Sequence, residues 1–135
     1  MRKLLAAVLL SSTLCGCAAV DAYLMAKYDP VEYDYMVKIK TLSDLSVATC
    51  NDASVSKKNA EDLYFYNKSL VTFSTHIPRD QNVQKMSEEL LNITQGLKDR
   101  YKSNTNVSQT YCEMKFKSVS SSVESMLIVT GKKPR

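Results

Sequence analysis

Four apolar stretches at helical spacing, separated by residues that stop helices, leave this chain little choice of architecture. Leu63, Tyr66, Leu70, Phe73 and Ile77 follow a 3-4-3-4 rhythm, which sets them on one face of a helix. That helix is expected to begin near Val55 to Lys57 and to stop at Ile77, because Pro78 cannot continue it. Asp80 is a candidate cap for the next helix, in which Val83, Met86, Leu90, Ile93, Leu97 and Tyr101 keep nearly the same spacing. Gly96 weakens that helix by about 1 kcal/mol relative to Ala and suggests a close approach. Polar residues from Lys102 to Asn106 make a turn, and Cys112, Phe116, Val119, Val123 and Met126 form the stripe of a last helix closed by Gly131. Upstream, Asp29-Pro30-Val31-Glu32 reads as a helix start: Asp29 caps, Pro30 suits the first position and Glu32 stands where a capping box places an acid. The helix it opens is expected to run to about Cys50, with Tyr35, Ile39, Leu42 and Leu45 inward and Asn51-Asp52 as the turn. Gly and Pro, at three each, are too scarce for an all-β chain rich in tight turns. Helices of about 20 residues, each roughly 30 Å long, joined by short connections imply antiparallel neighbours. The expected fold is all-α, an antiparallel four-helix bundle over residues 30–131 with a solvated basic tail at 132–135.

The N-terminus carries a different signal. Arg2 and Lys3 supply a positive start, Leu4 to Leu14 an apolar body diluted by Ser11, Ser12 and Thr13, and Gly16 a small residue beside Cys17. This is the layout of a secretory signal. Spanning a bilayer takes about 20 apolar residues, and the run from Leu4 to Val20 is shorter and is bordered by Asp21. Leu14-Cys15-Gly16-Cys17 resembles a bacterial lipobox of the signal peptidase II type. The resemblance implies a signal peptide at 1–16, lipid on Cys17 as a thioether, acylation of the new N-terminus with a chain such as palmitate, and a tether at 17–29. A soluble-secretion signal, which would leave Cys17 a free thiol, is the alternative. Ala18 follows Cys17 in place of the Asp associated with inner-membrane retention, which favours the periplasmic face of the outer membrane. Tyr23 and Tyr28 suit either the membrane interface or packing on the bundle.

Cys15 leaves with the signal and Cys17 is taken by lipid, so Cys50 and Cys112 remain as a pair in an oxidising compartment. A disulfide is the direct reading; two buried thiols are the alternative. In an up-down-up-down bundle the end of the first helix and the start of the fourth share a pole, which agrees with a bridge.

Composition excludes several functions. Arg2 and Lys3 also leave with the signal, so the mature chain has 16 basic against 14 acidic residues, not a nucleic-acid binder's balance. His76 is the single histidine and no Cys/His cluster exists, so no multi-histidine metal site is expected and no cofactor is implied. His76 suits a helix C-terminus. Glu61-Asp62 and Glu88-Glu89 are adjacent pairs pointing apart on a helix, and the serines at 118, 120, 121 and 122 have no positioned base. The chain is therefore read as a non-enzyme.

Two stretches are more apolar than one core face requires. Tyr64-Phe65-Tyr66 spans about 200° of a helix, and Met126-Leu127-Ile128-Val129 does the same on the last. Such surface suits a groove for an amphipathic helix, or is covered by the lead-in segment. The order of lipobox, first helix ending in Cys50-Asn51, two middle helices and Cys112 opening the last resembles the secretin pilotins, small outer-membrane lipoproteins with a disulfide-tied bundle. The tryptophan common in that family is absent. The resemblance implies escort of a partner helix, with Tyr64, Phe65 and Leu127 as candidate groove residues and an envelope protein as partner. A phage- or plasmid-encoded lipoprotein, for receptor exclusion or as a spanin-like part of an outer-membrane lysis complex, is the competing reading.

Overall fold

The computed structural model describes residues 26–103 and 106–135, which form four helices: α1 (Pro30–Val47), α2 (Ala53–Ser74), α3 (Gln81–Lys102) and α4 (Gln109–Gly131). They make the expected antiparallel bundle. The short links set α1 against α2 and α2 against α3, and α4 returns to pack on α1; the α3–α4 side is the loosest of the four. The expected lipidation site, Cys17, lies outside the described residues.

Local chemistry explains most helix ends. Asp29 Oδ1 accepts from the Val31 and Glu32 amides at 2.8 and 3.1 Å, so two of the orphan donors opening α1 are satisfied. Asp52 does the same for α2, from Ser54 and Val55 at 2.9 and 3.0 Å. This starts α2 at Ala53, ahead of the expected Val55 to Lys57. The Ser108 hydroxyl accepts from the Tyr111 amide at 3.2 Å and opens α4. α2 ends at Ser74, before Ile77, and residues 75–79 turn with Arg79 at a φ of 66°. α1 ends at Val47, leaving Cys50 in the turn beyond it.

The core is smaller and more polar than the apolar stripes suggest. Met36, Ile39, Leu63, Leu70, Val83, Leu90, Leu97, Phe116, Val119, Val123 and Met126 fill it. The α4 stripe is the expected one. In α1 the inward row is Glu32, Met36, Ile39, Ser43 and Ser46, one position round from the expected Tyr35, Leu42 and Leu45. Leu45 is 67% exposed, while Tyr35 and Leu42 are half-buried at the seam with α2. The inward row tolerates two serines because each hydroxyl donates back to a carbonyl four residues earlier, Ser43 to Ile39 and Ser46 to Leu42. Between α2 and α3, buried Asn67, Ser74, Ser87 and Thr94 replace apolar knobs. Asn67 Nδ2 lies 3.4 Å from the Ser87 carbonyl and from Thr94 Oγ1.

Gly96 is exposed on α3, and a Cβ there would meet nothing within 4 Å, so among the described residues it serves no close approach. Lys132 and Arg135 are exposed, but the tail as a whole is not solvated, because Lys133 is buried.

Candidate functional site

The two poles of the bundle are each closed by a crosslink between elements remote in sequence. At one, Cys50 and Cys112 are joined, with Cα atoms 5.7 Å apart across a sequence separation of 62. The bridge ties the turn after α1 to the first turn of α4. Ser56 packs beside it, its hydroxyl donating to the Thr49 carbonyl at 2.9 Å. The Tyr101 phenol, half-buried at the same pole, is pushed up by burial.

At the other pole the crosslink is ionic. Lys133 Nζ lies 2.7 Å from both oxygens of Asp80 and 2.8 Å from Glu32 Oε2. All three side chains are buried. Asp80 stands at the cap position of α3 but makes no side-chain capping bond, since its carboxylate is committed to the lysine. Glu32 likewise turns inward. One ammonium faces two carboxylates, and Glu32 Oε1 is buried with no hydrogen-bond partner among the described residues. Burial, with the neighbouring Asp80 carboxylate adding to it, pushes the Glu32 carboxyl up to about 7 against the pull of Lys133. Next to this cluster the Tyr28 amide donates to the Pro134 carbonyl at 2.8 Å, so the segment entering α1 and the segment leaving α4 run side by side.

The side of the bundle offers a binding surface. Along the α1–α2 seam, Val37, Lys38, Thr41, Leu42, Leu45, Asp62 and Tyr66 line a shallow groove of about 360 Å³. Val37 and Leu45 are exposed on its floor and rim. Toward the ionic pole the same seam opens again between Tyr35, Ser69, Thr72, Phe73 and His76, at about 400 Å³. His76 lies just past the end of α2, its Nδ1 2.8 Å from the Thr72 carbonyl.

Tyr64, Phe65 and Leu127 do not converge. The Lys98 ammonium sits 3.3 Å from the centroid of the Tyr64 ring, which commits that side chain to the α2–α3 seam. Phe65 is 65% exposed, its ring 5.7 Å from that of Tyr66, and so borders the α1–α2 groove. Leu127 is half-buried against the core on α4, in the row of Ser120 and Glu124, which reach Asp44 and Lys40 of α1. α4 stands diagonally across the bundle from α2, so no single groove holds all three. Of the three residues, Phe65 alone adjoins the groove. Leu45 was read as a core residue and Val37 was not singled out, because an apolar residue on α1 reads as core; an apolar set wider than one stripe was the available signal.

Among the described residues no group of three or more His, Cys, Asp or Glu side chains is placed to hold a metal ion, and no helix is long and apolar enough to cross a membrane. The chain matches no protein-family model, and no curated protein or solved structure is significantly similar to it.

Proposed function

We propose that this chain is a lipoprotein of the outer membrane, anchored through Cys17 on the periplasmic face, whose helical bundle is a non-catalytic module for binding another envelope protein. The observation that carries the binding role is the α1–α2 groove, where Val37, Leu42, Leu45 and Tyr66 present an apolar strip beside exposed Phe65. A monomeric domain rarely exposes contiguous apolar surface without a use for it. A seam between two antiparallel helices accepts the apolar face of a third, read by anchors at i, i+3, i+4 and i+7. Lys38 and Asp62 flank the groove on opposite sides, each already paired on its own helix, with Asp34 at 2.7 Å and Lys58 at 2.8 Å. Escort of a partner helix, in the manner of the pilotins, is the specific form of this reading. It places the contact on α1 and α2, not on Tyr64 or Leu127.

Cross-linked purification of the lipidated protein from its own envelope tests it, with Leu45→Lys and Phe65→Glu run alongside. Both residues are more than half exposed, so the substitutions leave the melting curve in place. The reading requires one stoichiometric envelope partner that both substitutions release. A partner retained by both, or no partner at all, overturns it. A receptor or an inner-membrane lysis subunit as the released partner would move the protein to the exclusion or lysis reading while keeping the groove. Loss of membrane association in Cys17→Ser, with a lipid-sized mass decrement, tests the anchor separately.

A further inference from the structure

We infer that the ionic pole of the bundle is a headgroup-binding face that seats the domain on an anionic phospholipid surface. At this pole two acids, Glu32 and Asp80, are inside with Lys133, while exposed Asp34 is paired with Lys38 at 2.7 Å. The Asp29 carboxylate is turned to the amides of α1. Lys27, Lys132 and Arg135 are exposed, as is Arg79 in the α2–α3 turn. Their grouping is fixed by structure. The Tyr28 amide bond to Pro134 draws Lys27 alongside the tail, and the Arg135 guanidinium lies 5.5 Å from the centroid of the Tyr28 ring. Burying Lys133 with two carboxylates therefore removes negative charge from the surface while leaving the flanking cations on it.

Aromatic residues complete the face. Tyr28 and Tyr33 pack with ring centroids 5.6 Å apart and planes tilted by 47°, and both are half-buried. Tyrosine is favoured at headgroup depth because its ring is apolar and its hydroxyl is wet. Basic residues at an anionic leaflet each strengthen partitioning about fivefold, and the effect decays within a Debye length. This inference rests on the Cys17 anchor for one point, that the pole is held near the bilayer. Nine residues from Cys17 to Ala26 reach at most about 30 Å. The α1–α2 groove then runs away from the membrane, with its Tyr35–Phe73 end nearest the lipid.

The test uses the full chain carrying Cys17→Ser, so that no lipid contributes, mixed with vesicles of phosphatidylglycerol and phosphatidylcholine or of phosphatidylcholine alone. Lys27→Gln, Lys132→Gln and Arg135→Gln are combined in the same background, which keeps the apolar N-terminal run common to both proteins. Co-sedimentation with the anionic vesicles should weaken at least tenfold in the triple variant, and added salt should erase the difference. The chain contains no tryptophan, so Tyr28→Trp and Tyr111→Trp give single probes at opposite poles. Brominated phosphatidylglycerol should quench the first and spare the second. Equal sedimentation of the two proteins with anionic vesicles, parent binding to phosphatidylcholine alone as strong as to the anionic mixture, or equal quenching of the two probes overturns the inference. A native protein without lipid on Cys17 would overturn the anchor instead, and a positive vesicle result would still hold.

Discussion

Lys133 Nζ lies 2.7 Å from each carboxylate oxygen of Asp80, two residues 53 apart in sequence and both almost wholly buried. With Glu32 Oε2 at 2.8 Å, the lysine joins the tail beyond α4 to the starts of α1 and α3. Removing the cation of a buried ion cluster leaves the Asp80 carboxylate without a counterion or water, beside a Glu32 carboxyl already pushed up by burial, and breaking such a pair costs about 3–5 kcal/mol. Lys133→Met is therefore expected to lose stability on that scale in urea unfolding. Adding Asp80→Asn and Glu32→Gln to Lys133→Met should recover much of the loss, because no unpaired charge then remains buried. If Lys133→Met alone unfolds like the parent, the cluster contributes no net stability.

The same cluster makes stability depend on pH in an unusual direction for a carboxylate. The Glu32 carboxyl titrates near 7 in the folded chain against an ordinary value of 4.5. Between these values the folded state holds a proton that the unfolded state has lost, so stability falls as pH rises. Glu32's contribution is fully present below about pH 4.5 and is lost as pH climbs through 7. Urea midpoints measured across that window should decline with pH in the parent. Glu32→Gln, which mimics the protonated group, should flatten the decline. A parent midpoint that rises through the window would refute the assignment.

How much of this was legible in the sequence follows from the polarity of each position. α4 was readable up to its last turn, since Cys112, Phe116, Val119, Val123 and Met126 are apolar and all buried, whereas buried Thr130 reads as polar. The disulfide followed from cysteine count and bundle topology together, and the pair is joined. α1 misled because Glu32, Ser43 and Ser46 occupy its core row. Apolar periodicity then pointed to Tyr35, Leu42 and Leu45, the row that faces the α2 seam. Periodicity scores a buried serine as surface, although its back-bonded hydroxyl makes it a small core residue. The ionic cluster was illegible for a different reason. Glu32 and Asp80 each have a good local reading as helix-start acids, and Lys133 sits among other basic residues. Only their convergence in space shows that local capping is overridden by a long-range counterion.

The disulfide closes a loop of 62 residues and is worth roughly 4 kcal/mol in the chain-entropy account. It clamps the pole opposite the ionic cluster, so each crosslink should matter more when the other is missing. Reductant is expected to lower the Tm of the parent, and to unfold Lys133→Met at room temperature. An unchanged melt under reductant, with thiols verified free, would show that packing alone holds α1 to α4.

Gly96 is the one position where a gain is expected. It lies in the interior of α3, on the exposed face, and a Cβ added there meets nothing within 4 Å. A helical glycine costs about 1 kcal/mol relative to alanine, through the backbone freedom it holds in the unfolded chain. Gly96→Ala should therefore stabilise by about that amount and raise Tm by roughly 4 °C for a domain of this size. Gly131→Ala is the matched control. It sits at the last residue of α4, where helix propensity counts for less, and its Cβ would touch Tyr33 Cε2 at an ordinary 3.8 Å. A loss of stability in Gly96→Ala would mean that α3 is approached closely at this point by something outside the described residues, such as a partner or a second copy. The same scan would then show that loss disappearing on dilution if a second copy were the cause.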